Sequence, residues 1–289
     1  MFARDRDRLA DTRRRVNLMP MGSGALAGSG FDCDRPAMAR ELGFDGITAN
    51  SMDVSADRDF ALDYLRAANT TALHVSRLAK DWILYSSDEF GWMELSDKVT
   101  SSSSLMPQKT NPDSLELIRG KAGHAFSGYA SLFVTMKGLP LTYNRDMQED
   151  KEPLFTVVDQ LHGMLAMARN VIETTAIKPD RALAAVNDSW MISTDLAEEL
   201  SRNGVPFHQA HPLVGKLVLE SIKAGKKLAA WTAEQLVAFS PLFKPEMLRL
   251  MKASEGMKTR NVTGGTGPQA VAQALSEAGR RIAEWRSAH

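Results

Sequence analysis

Apolar positions in the first half of the chain recur in steps of three and four. Between Phe60 and Tyr85 they fall at Ala61, Tyr64, Leu65, Ala68, Ala72, Val75, Ala79 and Trp82, the spacing of one face of an α-helix. A second helix is expected to open at Asn111-Pro112. Asn is a good N-cap, Pro suits the first helical position, and Asp113 and Glu116 place negative charge in the first turn. Gly138 and Pro140 should stop it near Lys137. Such a helix is roughly 40 Å long, a length that belongs to bundles. Gly120, Gly123, Ala125 and Gly128 leave it thin, so neighbouring helices can approach closely. A third helix is expected from about Pro153 to Thr175.

The pattern breaks at Ile177-Lys178-Pro179-Asp180. Shorter helices follow, bounded by Gly204, Gly225 and Pro241, and a last one runs from Pro268 to about Ser287. Aromatic residues are 7% of the chain, and few alternating β-branched stretches suggest strands. The expectation is an all-α protein: a long-helix bundle domain over residues 1–178 and a smaller helical C-terminal domain over residues 179–289.

Composition then narrows the function classes. Hydrophobic residues make up 44% and charged residues 24% of 289, enough for a full core. Lys plus Arg and Asp plus Glu both number 35, so no global field favours nucleic acid or an anionic membrane as partner. No apolar run approaches the roughly 20 residues that span a bilayer. Met1-Phe-Ala-Arg-Asp-Arg reads as helix interior, not as a signal peptide. Cys33 is the single cysteine, which fits a cytoplasmic protein without disulfides.

Several motifs carry candidate chemistry. Gly22-Ser-Gly-Ala-Leu-Ala27 matches the dinucleotide fingerprint in letters only. Asn17-Leu-Met-Pro-Met21 before it is no buried strand, so a mobile glycine-rich loop is the better reading. His208 and His211 share a spacing of three, but no carboxylate accompanies them and no metal site is expected. His74, His124 and His162 lie within helices and are read as packing or hydrogen-bonding residues. More telling is Ser101-Ser-Ser-Ser-Leu-Met-Pro-Gln-Lys-Thr-Asn-Pro-Asp113, a hydroxyl-rich loop running past Lys109 into a helix start. Backbone N–H groups and an ammonium there would favour anionic oxygen, including a serine alkoxide acting as base. Tyr143-Asn-Arg-Asp-Met-Gln-Glu-Asp-Lys151 gathers a hydroxyl, an amide and a cation, a set suited to a polar, multiply charged small molecule.

Ser103-Ser-Leu-Met-Pro-Gln-Lys109 with Asn111-Pro112-Asp113 resembles the signature loop of the fumarase/aspartase superfamily. Other segments are similar to the argininosuccinate lyases within it: Arg14 to Gly28, Ala56-Asp-Arg-Asp-Phe60, Leu115 to Lys121, Lys137 to Leu141, Asp146 to Glu152, Gly204 to His211 and Gly264 to Pro268. The resemblance implies a cytoplasmic homotetramer with active sites assembled from three subunits. It also implies cofactor-free, reversible elimination of argininosuccinate to arginine and fumarate, as in arginine biosynthesis. On matching positions, Ser103 corresponds to the base, Lys109 to the ammonium that stabilises the aci-carboxylate, and Glu116 to the carboxylate that pairs with a catalytic histidine. Asn111, Tyr143, Gln148 and Lys151 correspond to substrate contacts. The alternatives are another succinyl-compound lyase, adenylosuccinate- or aspartase-like, and a non-catalytic helical assembly protein.

Three departures stand out. Ser102 occupies a place where the family usually has Gly, which would give the loop access to positive φ. Thr110 replaces a frequent second lysine. Members of the family begin well before Met1, in segments that hold an Arg-Asn substrate contact and the Thr-His pair that Glu116 would serve. None of the six histidines here takes that place. The chain therefore reads as the C-terminal part of such an enzyme, expected to have little or no activity alone.

Overall fold

Six helices carry the first of two units, Met1–Ile177. They are α1 (Phe2–Val16), α2 (Arg35–Glu41), α3 (Ser51–Ala56), α4 (Asp59–Tyr85), α5 (Asp113–Met136) and α6 (Lys151–Thr174). The computed structural model describes residues 1–287. The long α4, α5 and α6 pack side by side. The apolar stripe read from the sequence is the buried face of α4, with Ala61, Leu65, Ala68, Ala72, Val75 and Ala79 inside. It meets Leu115, Ile118 and Leu132 of α5 and Leu161 and Met164 of α6. Burying one such large apolar side chain contributes roughly 1.5–3 kcal/mol.

Close approach between α5 and α6 depends on one glycine. A Cβ at Gly128 would lie 2.4 Å from Val157 Cγ2 and 3.1 Å from the Pro153 carbonyl oxygen. Gly120 and Gly123 differ from expectation, because they face open space in this chain. They belong to the side of α5 turned away from the buried face. On that side Phe126, Phe133 and Val134 are 61%, 50% and 64% exposed.

The α1 helix lies against α4. His74 Nδ1 sits 2.7 Å from Asp5 Oδ2, and both side chains are buried. His74 is thus a hydrogen-bonding residue as read, whereas His124 and His162 are exposed on the outer sides of α5 and α6. The glycine-rich segment after α1 follows a two-residue strand, Leu18–Met19, paired in parallel with Gly46–Ile47. No helix follows until α2, so the dinucleotide reading fails on its own structural criterion. Arg35 secures this segment, its Nε donating to the Met21 carbonyl at 2.8 Å and its guanidinium to Thr48 Oγ1 at 3.0 Å. Two further two-residue ladders interrupt the helices, Met93–Glu94 with Ala176–Ile177 and Ser101–Ser102 with Thr110–Asn111.

The second unit begins at Lys178. It holds α7 (Pro179–Asn187), α8 (Ser193–Arg202), α9 (Phe207–Lys223), α10 (Ala233–Phe239), α11 (Ala253–Met257) and α12 (Pro268–Ser287). Gly204 and Gly225 follow α8 and α9 at φ +93° and +60°, conformations that favour glycine. Leu196, Leu200, Leu217 and Phe243 form its core. Arg260 pairs with Asp195 at 2.6 Å and Glu198 at 2.7 Å, fastening the segment after α11 to α8. His208 and His211 are exposed near the start of α9. Among the described residues, no group of three or more His, Cys, Asp or Glu side chains could hold a metal ion. Nor is any helix long and apolar enough to cross a membrane.

Candidate active site

The serine-rich segment folds as a hairpin on top of α5. Ser101 pairs with Asn111 and Ser102 with Thr110 in an antiparallel ladder. Ser103 N–H then donates to the Lys109 carbonyl, and Lys109 N–H closes a turn onto the Met106 carbonyl, both at 3.0 Å. Pro107 lies inside that turn, where its fixed φ suits the position after the first residue. Ser114, buried at the start of α5, donates from its hydroxyl to the Val99 carbonyl and ties the hairpin to the bundle.

The hairpin converges on one oxygen. Ser103 Oγ accepts the backbone N–H groups of Leu105 at 3.2 Å and Met106 at 3.1 Å. Two fixed donors on a hydroxyl oxygen stabilise negative charge there, which a serine needs before it can take a proton from carbon. Ser103 is half-buried and the Lys109 side chain is exposed, while Leu105 at the tip is 89% exposed. Ser102 lies in the extended ladder; among the described residues the only non-glycine at positive φ is Thr142. The side chain that replaces the usual glycine therefore brings no backbone strain in this conformation. Asn111 departs from its expected place. It belongs to the ladder, and α5 starts at Asp113 with Pro112 at its cap and no capping side chain. Pairing with Ser101 fixes the Asn111 backbone before the helix begins. Glu116 is exposed in the first turn of α5.

Tyr143, Gln148 and Lys151 form a second group beyond the other end of α5. Gly138 at φ +84° ends the helix region, and Asn144 Nδ2 holds the loop by donating to the carbonyls of Pro140 at 3.1 Å and Thr142 at 3.2 Å. Thr142 at φ +78° is an outlier for a β-branched residue, a strained conformation set directly beside Tyr143. Gln148 Nε2 donates to the Tyr143 hydroxyl. Lys151 Nζ lies 2.8 Å from Asp150 Oδ1, and Arg58 Nε, from the cap of α4, lies 2.5 Å from Asp150 Oδ2. Burial would raise the Asp150 carboxyl, but hydrogen bonds and charge from Lys151 and Arg58 outweigh it and hold it below the ordinary carboxylate range.

The two groups do not meet within one chain. Gly128 packs against Pro153 and Val157, so the start of α6 lies beside the C-terminal third of α5. Lys151 is then separated from the hairpin by roughly 30 Å of helix at 1.5 Å per residue. Arg58, Asp150 and Thr142 were not singled out from the sequence. The strings around Arg58 and Asp150 were visible, but a pairing across 92 positions was not.

Comparison with known proteins places the chain in a family. A family model described as "Lyase" matches residues 1–127, and one described as "Argininosuccinate lyase C-terminal" matches residues 190–257. The argininosuccinate lyase of Solibacter usitatus is 63% identical over 96% of this chain. The chain belongs to the argininosuccinate lyase family, within the fumarate lyase superfamily. The argininosuccinate lyase of Pelotomaculum thermopropionicum is 44% identical over 98% of the chain. The chain spans 60% and 62% of the length of these two relatives. Among solved structures, EDDS lyase in complex with formate matches with a TM-score of 0.89 at 26% identity, over 99% of this chain and 59% of that one. A 3-carboxy-cis,cis-muconate lactonizing enzyme from Pseudomonas putida matches at 0.73 and 21% identity over 96% of this chain and 60% of that one, a likeness of fold alone.

Proposed function

We propose that this chain supplies the base-bearing hairpin and the substrate-binding loop of an argininosuccinate lyase, which eliminates arginine from argininosuccinate to leave fumarate. The observation that carries the reading is the Ser103 oxygen under two backbone N–H donors on the same hairpin as Lys109. Ser103 as alkoxide takes the proton from the carbon next to a substrate carboxylate. The electrons pass into that carboxylate as an aci-carboxylate, whose added charge the Lys109 ammonium offsets. They return to expel the guanidino nitrogen, which takes up a proton and leaves as arginine. Asn111, Tyr143, Gln148 and Lys151 hold the substrate's carboxylates and polar groups, and Glu116 pairs with the catalytic histidine that the family resemblance implies, which none of this chain's six histidines supplies. The chemistry uses side chains and backbone donors only.

A single substrate molecule is far shorter than the separation between the two groups, so the reading requires more than one copy of the chain at each site. The assembly proposed is a homotetramer, supported by the apolar, unfilled side of α5. The test is a chimera in which this chain replaces the matched 60% of the Solibacter usitatus relative's length. With argininosuccinate it is expected to release arginine and fumarate in equal amounts, and with adenylosuccinate no AMP. Release of AMP, or no turnover by a folded chimera, would overturn the assignment.

A further inference from the structure

Lys151 stands where a six-residue 3-10 helix, Arg145–Asp150, runs directly into α6. A flexible, strongly hydrated ammonium on such a position would normally spread over many rotamers. Two observations oppose that here. Asp150, directly before it, is only 8% exposed, and its two carboxylate oxygens are divided between two cations. Oδ1 receives Lys151 Nζ at 2.8 Å, and Oδ2 receives Arg58 Nε at 2.5 Å. Arg58 is itself fixed, since a guanidinium nitrogen also donates to the Asp57 carbonyl at 2.6 Å where the chain turns into α4. The carboxylate is thus anchored to one long helix while it holds the ammonium at the start of another.

The geometry points to Asp150 as a positioning residue, locked by Arg58, that sets where the Lys151 ammonium stands for an incoming carboxylate. The division of oxygens has a chemical consequence. Asp150 neutralises one of the two cations, so the cluster of Arg58, Asp150 and Lys151 keeps a net positive charge. The Lys151 side chain is 57% exposed, against 18% for Arg58. The accessible part of that charge is therefore the ammonium, and the guanidinium serves as the anchor behind it. The role in substrate binding rests on the proposed function, but the positioning itself does not.

The test is competitive acetylation of the 289-residue chain with acetic anhydride at fixed pH, with each lysine quantified by mass spectrometry. Asp150→Asn is expected to speed Lys151 labelling relative to Lys137 by roughly two- to fivefold, the range that a partly exposed ion pair supports. Asp150→Glu, which keeps the carboxylate, should return most of the protection. Unchanged Lys151 labelling in a folded Asp150→Asn chain would overturn the proposal. Should that variant fail to fold, Arg58→Lys decides. It keeps a cation at the cap of α4 but removes the planar donor, and Lys151 should label faster; unchanged labelling would again overturn the proposal. In the chimera, argininosuccinate should protect Lys151. If it does not, while Asp150→Asn still speeds labelling, the functional reading fails and the positioning role stands.

Discussion

Replacement of Ser103 by Ala in the chimera is expected to lower fumarate release by about 10²–10⁴-fold, the contribution of a positioned general base. The fold should not change. Ser103 is half-buried at the base of an exposed hairpin, outside the cluster of buried side chains that joins α4, α5 and α6. The ladder of Ser101 with Asn111 and Ser102 with Thr110 uses backbone groups only, so it survives the substitution. What the variant loses is an oxygen placed under the Leu105 and Met106 N–H groups. Those donors would then face solvent rather than a charge. The informative comparison is turnover against thermal melting in the same preparation. A fall in turnover with unchanged melting fits the base assignment, and near-normal turnover refutes it.

The second large effect is expected from Val134→Glu on α5. Val134 is 64% exposed, and Phe126, Phe133, Gly120 and Gly123 lie on the same outward side. Small residues there permit another helix to approach, and the phenylalanines give it apolar surface to cover. If a second copy of α5 occupies that side, a carboxylate at position 134 would be buried without a partner, a cost of several kcal/mol at each contact. The variant should shift from an oligomer to a smaller species in light scattering while its helical circular dichroism persists. An unchanged mass in solution would remove this side of α5 from the interface.

Much of the fold was legible because its helices are long. The α4 stripe predicted from spacing is the stripe that is buried, and α6 begins two residues before its expected start. The separation of the two candidate segments was also implicit in the sequence, since a helix of 24 residues runs between them. Three features were not legible, each for a physical reason. The hairpin at Ser101–Asn111 shows no alternation of apolar and polar residues, because it is held by backbone pairing in an exposed place. Gly120 and Gly123 suggested a close neighbour, but none of the described residues approaches them. His124 adjoins the buried Ala125, yet one residue turns a helix by about 100°, enough to carry a side chain to the exposed side. The dinucleotide fingerprint spelled by Gly22 to Ala27 was set aside in the sequence, and the structure agrees because no helix opens on it. In the candidate site, the resemblance directed attention to Ser103, Lys109, Tyr143, Gln148 and Lys151. The Asp150–Arg58 pair required coordinates, because nothing in one sequence links residues 92 positions apart.

In the proposed assembly the hairpin of one copy and the Tyr143–Lys151 loop of another form one site. Co-assembly of two inactive chimeras, Ser103→Ala and Lys151→Gln, tests it most directly. Random mixing in a symmetric homo-oligomer gives about a quarter of the sites both intact segments, and fumarate release should recover toward that fraction of the parent rate. Mixed oligomers that form, verified by mass, and yet stay as inactive as either variant alone would contradict it.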